Sequence, residues 1–114
     1  MDSNESNVPY IDVEDALKRV GGNRALYKKL LGRFVDGNYV DAIENAIVSG
    51  DAEEAARQAH TLKGVSANLS LERVRALSIE LEGQIRSGGD CSGGLAELKQ
   101  AYAVTVGKIA EVEG

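Results

Sequence analysis

The chain contains no tryptophan, one phenylalanine, one proline, one cysteine and one histidine in 114 residues. Each scarcity excludes something. With four tyrosines as the only other aromatics, the core must be built from Leu, Ile, Val and Ala. That palette, with its single proline at position 9, favours helices. A lone cysteine, Cys91, rules out an internal disulfide framework and fits a reducing compartment, so a cytoplasmic location is expected. No apolar run approaches the ~18 residues that would cross a bilayer. Basic residues are outnumbered 13 to 18, for a formal charge of −5, and no basic block or basic helix face stands out. Nucleic-acid binding is therefore excluded, because neutralisation of phosphates would dominate such affinity. One histidine cannot by itself assemble a zinc site or a catalytic triad, and no cofactor or metal of the chain's own is expected.

What is present is a pattern of amphipathic helices. The length predicts one domain with a core that needs neither disulfides nor metal. Residues 1–7 are polar and lack the charged and apolar regions of a signal peptide. They read as a frayed tail or as the remnant of a linker from a longer protein, so 1–9 is assigned to a flexible polar tail and 10–114 to the folded domain. Five helical segments are expected. The first, 12–20, has Asp12 as its N-cap and ends at Gly21-Gly22. The second, 23–49, carries Leu26, Leu30, Leu31, Phe34, Val35, Ile43 and Ile47 at helical spacing, with Gly37-Asn38 bending or breaking it. The third, 51–67, opens with Asp51 and Glu54 in a capping-box pattern. The fourth, 70–86, has the apolar stripe Val74, Leu77, Leu81 and Ile85. Residues 88–94 are the clearest loop, and a fifth helix, 95–112, turns Leu95, Leu98, Tyr102, Ile109 and Val112 inward. No strand pattern and no internal repeat appear. The predicted fold is all-α, an antiparallel up-down four-helix bundle with a short additional N-terminal helix as a lid.

The histidine lies in Ala59-His60-Thr61-Leu62-Lys63-Gly64, in the middle of the third helix. On a helical wheel Ala52, Ala55, Ala59, Leu62 and Ser66 share the core side, and His60 points roughly 130° away from it, toward solvent. Ala56, Lys63, Gly64 and Ala67 are its neighbours on the helix surface. An interior glycine costs about 1 kcal/mol relative to alanine. At Gly64 that cost has a use, since the missing side chain lets another protein approach the imidazole, and Ala56 and Ala67 keep the surface low. Lys63 offers a flexible cation to any anionic group on the ring and disfavours the imidazolium. The spacing alone names no reaction. A lone exposed histidine is ordinarily a plain surface residue, and an interior glycine ordinarily serves helix packing. Residues 88–94 lack the Lys-Ser/Thr ending of a phosphate-binding loop and read as a connector.

The His60-Thr61-Leu62-Lys63-Gly64 core, with Asn68-Leu69 after it and Leu81-Glu82 later, resembles the histidine-containing phosphotransfer domains of two-component signalling. The opening Asp12-Val13-Glu14-Asp15-Ala16-Leu17 and the run Ala55-Ala56-Arg57-Gln58-Ala59 are similar to the same family. The resemblance implies a four-helix bundle with His60 as phosphoacceptor, Lys63 stabilising the phosphoryl oxygens and Gly64 clearing space for a receiver domain. It puts Glu82 where relatives carry Glu or Gln near the ring, either orienting the imidazole or standing as a solvated helix charge. Ser70 departs from the glycine common in relatives, and serine there is expected to cap the fourth helix. The implied partners are response-regulator receiver domains and a sensor histidine kinase, with Mg2+ in the receiver and no kinase activity in this chain. A monomer is expected, free-standing or excised from a hybrid kinase. Two alternatives stay open: a non-catalytic helical adaptor that binds receivers, and the phosphoacceptor domain of a chemotaxis-type kinase.

Overall fold

A computed structural model describes residues 10–113, and side chains through Glu111. The expected tail, 1–9, lies outside the described residues, and the expected inward turn of Val112 falls on a side chain outside the described ones. Among the described residues the fold is all-helical: α1 (Val13–Arg19), α2 (Arg24–Asp36), α3 (Tyr39–Val48), α4 (Ala52–Asn68), α5 (Glu72–Ser87) and α6 (Ser92–Glu113). None of these helices is long and apolar enough to cross a membrane. α4 packs between α3 and α5, α5 also packs on α6, and α6 returns to α2 and α3, while α1 lies on α2.

The expected second helix is two helices. Gly37 closes α2, and Asn38 sits in the left-handed region at φ 54. The Tyr39 ring lies where a side chain at position 37 would be, so only glycine leaves it room. From there Tyr39 stacks on Phe34 at 5.8 Å between centroids, and Phe34 also meets Tyr102 at 5.2 Å. Tyr102 donates to the Phe34 and Val35 carbonyls at the end of α2, which fixes α6 against the break. The apolar stripes of α2 and α3 are otherwise as expected, except that Leu26 faces solvent and the buried side chain beside it is Tyr27.

Two helix starts also differ from expectation. Asp90 accepts from the Ser92 amide and hydroxyl, so α6 begins at Ser92 and absorbs half of the expected loop. Gly94 lies inside α6, where the Gln84 side chain of α5 occupies the space of a Cβ. Ser70 does not cap α5, whose N-cap is Leu71 without a side-chain bond. Instead Ser70 adopts φ 57 after the end of α4. The Ser70 amide donates to the Ala67 carbonyl and the Leu71 amide to the Ser66 carbonyl, the bonding of a Schellman turn. Glycine suits that position because a Cβ there costs about 1–2 kcal/mol. Ser70 compensates through contacts with the N-terminal segment. Its hydroxyl donates to Asp15 at 2.7 Å, and its carbonyl accepts from the Asp12 amide at 2.9 Å. Asp12 meanwhile caps α1 through the Asp15 amide, as expected. The Tyr27 hydroxyl donates to the Leu69 carbonyl, so α2 holds the same turn from the other side. Burial pushes that phenol up to about 12.

These links generate two predictions. The hydroxyl of Ser70, then the guanidinium of Arg19, holds the Asp15 carboxyl below the usual range. A depressed folded value means that the link stabilises the protein above the ordinary Asp range, near pH ~3.9, and fades as pH falls through the folded value. Asp15→Asn is expected to lower the urea midpoint at neutral pH, and the gap from wild type should close as pH falls through the lowered Asp15 value. Tyr27→Phe leaves a buried carbonyl without its donor and is expected to cost about 1 kcal/mol in urea unfolding.

Candidate functional site

α4 presents the histidine because its opposite side is committed to the core. Asp51 caps the helix by accepting from the Glu54 amide at 3.1 Å. The reciprocal half of the expected capping box is not formed, since the Glu54 carboxylate accepts from Arg57 and Gln58. Ala55, Ala59, Leu62 and Ser66 are buried as expected, and the His60 side chain is 61% exposed. Two positions on the wheel are corrected. Ala52, in the first turn, is exposed, while Ala56 is buried in the core and does not lie in the surface around the ring. The buried arc is wider than the wheel suggests because α3 and α5 flank α4 on both sides.

Glu82 on α5 reaches the ring. Its Oε1 lies 3.4 Å from Nδ1 of His60, and its Oε2 accepts from Nε of Arg86 at 2.9 Å. The Glu82 side chain is only 14% exposed. Burial raises its pKa, but the hydrogen bond from Arg86 and the contact with His60 outweigh burial and hold it below the usual glutamate value. Glu82 is therefore an anion at neutral pH, and a carboxylate only accepts. A neutral ring paired this way carries its proton on Nδ1 and its lone pair on Nε2.

The surface beside the ring is low toward Gly64 and mixed in charge on the other side. A Cβ built on Gly64 would meet nothing within 4 Å. Lys63 is half-buried, and its ammonium makes no hydrogen bond or ion pair with another described residue. On the other side an open depression of about 450 Å³ is lined by His60, Arg57, Arg86, Asp51, Glu53 and Glu54. Among the described residues no three His, Cys, Asp or Glu side chains converge as a metal-ion cage requires. Arg86 is the site residue that the sequence reading missed. Its signal was the Glu82–Arg86 spacing of four, which puts both side chains on one helix face.

An exposed imidazole with one nitrogen held by a carboxylate and the other free suits nucleophilic transfer of a group between proteins. A comparison with protein-family models finds a match to the Hpt domain over residues 36–106. That span takes in α3, α4 and α5, most of α6, and both His60 and Glu82. No match was found among curated proteins or among solved structures. The family match covers well over half of the sequence, and the chain belongs to the Hpt domain family, the histidine-phosphotransfer domains of two-component signalling.

Proposed function

We propose that His60 is the phosphoacceptor of a relay between receiver-domain aspartates. The observation that carries this reading is the orientation of the ring, with Nδ1 against Glu82 and Nε2 open to solvent. The Nε2 lone pair attacks the phosphorus of a receiver's aspartyl phosphate. An N–P bond forms, the P–O bond to the aspartate breaks, and its electron pair leaves with the carboxylate. The Nδ1 proton stays on the ring, whose new positive charge faces Glu82. Transfer onward reverses these steps with a second receiver, and the electron pair of the N–P bond returns to Nε2. The chain's contribution is positioning and charge neutralisation, which are the main demands of phosphoryl transfer.

In this reading the unpaired Lys63 ammonium meets the phosphoryl oxygens as a point charge. Gly64 admits the receiver's surface, and Mg2+ resides in the receiver's acidic pocket, where it neutralises phosphoryl charge. The domain spans 10–114 and closes as an antiparallel up-down four-helix bundle. α2 and α3 together form one arm, α4, α5 and α6 the other three, and α1 the additional N-terminal helix. The packing of α6 back onto α2 and α3 supports that closure. The phosphate comes ultimately from a sensor histidine kinase, this chain having no kinase activity of its own. We place the domain in the cytoplasm as a monomer with a transient interface, since a relay must release each partner.

Two expected outcomes test the reading. Incubation with a radiolabelled phospho-receiver should label wild type and not His60→Gln, and the label should be acid-labile and base-stable. Equal labelling of both proteins would refute the role of His60, and labelling of neither across several receivers would favour the adaptor alternative. Gly64→Leu separates docking from folding. A leucine in place of an interior glycine with open space above it should raise helix stability by about 0.5–1 kcal/mol. Transfer should nonetheless slow in rapid-quench kinetics, and an unchanged rate would remove the clearance role.

A further inference from the structure

We infer that Arg86 is a positioning residue: by gripping Oε2 of Glu82 it aims Oε1 at Nδ1 of His60, and so fixes the ring tautomer that leaves Nε2 as the nucleophile. The inference deepens the phosphotransfer reading and rests on it for its consequence, but the positioning itself is a property of the free chain.

The geometry distinguishes the two oxygens of one carboxylate. The contact with the guanidinium is the shorter, 2.9 Å against 3.4 Å for the imidazole. Arg86 therefore dictates where the carboxylate rests, and the ring takes the oxygen that remains. A glutamate has three side-chain torsions, and a second partner is what holds its carboxylate at one place. Arg86 sits in the last turn of α5, where the helix dipole favours a cation, and one turn from Glu82. The other guanidinium lining the depression does not compete. Arg57 is bonded to Glu54 on its own helix, and Glu54 is further held by Gln58.

The tautomer matters because a neutral imidazole in water favours its proton on Nε2, which would block attack from the exposed nitrogen. A carboxylate at Nδ1 reverses that preference, as the partner of one ring nitrogen ordinarily sets the state of the other. Arginine rather than lysine suits this task, since its planar fork holds a carboxylate in a fixed direction while an ammonium swivels.

The test uses the unphosphorylated full chain and needs no receiver. Nitrogen NMR of the neutral imidazole should show wild-type His60 predominantly protonated on Nδ1. Arg86→Gln, with helicity checked by circular dichroism, should move both ring nitrogens toward the values of a tautomer mixture, and Arg86→Lys should fall between. The rate of transfer from a phospho-receiver should fall in the same order, by about tenfold or more for Arg86→Gln, as expected for a misplaced reacting group. Wild-type His60 protonated on Nε2, or an Arg86→Gln ring indistinguishable from wild type, would overturn the inference. A tautomer shift in Arg86→Gln with no labelling of wild type by any receiver would uphold the positioning and overturn the relay.

Discussion

The seam between α4 and α5 sets the distance on which everything at the site depends. α4 buries Ala55, Ala59, Leu62 and Ser66, α5 buries Val74, Ser78, Leu81 and Ile85, and the two helices pack against each other. The two buried serines carry no orphaned hydroxyl, because each turns back on its own helix, Ser66 to the Leu62 carbonyl and Ser78 to the Val74 carbonyl, both at 2.7 Å. A slip of one turn along this seam would carry Glu82 about 5.4 Å from the ring, well beyond hydrogen-bond reach. The turn between the helices prevents that slip. Ser70, held left-handed and tied to Asp15, and Leu69, tied to Tyr27, anchor the turn to α1 and α2. The N-terminal third of the chain thus contributes to the site without touching it.

The site itself combines restraint and openness. Glu82 is largely buried and bonded to two partners, while Asp51, Glu53 and Glu54 line the depression beside the ring. Lys63 has no ion-pair partner among the described residues, and the glycine one residue on leaves the approach clear. In the proposed relay the ring would need only one orienting group, because the attacked phosphorus would arrive already activated on the partner.

The helical class, the outward aim of His60 and the cap at Asp51 were legible in the sequence because each rests on local pattern. The positions that misled are those set by tertiary contacts. Ala56 is buried because α4 has neighbours on two sides, and Leu26 is exposed because Tyr27 takes the inward position with a hydrogen bond at its tip. Ser70 looked like an N-cap, but its hydroxyl belongs to Asp15, fifty-five residues away in sequence. Gly94 looked like loop and is helix because Asp90 starts α6 at Ser92, and Gln84 fills the space above it. The helix break was legible as a possibility at Gly37-Asn38, and the Tyr39 ring against Gly37 is what settles it. The Glu82 contact with the ring spans twenty-two residues, so its neighbourhood was accessible only through family resemblance until α4 and α5 were docked.

The central claim is that the phosphoryl group resides on Nε2 of His60. Its most direct test is NMR of the nitrogen-labelled chain after phosphorylation by a receiver, reading the one-bond coupling between phosphorus and a ring nitrogen. The expected result is a coupling to Nε2 alone, with Nδ1 still protonated. A coupling to Nδ1, or phosphorus bound to oxygen on any side chain of this protein, would contradict it.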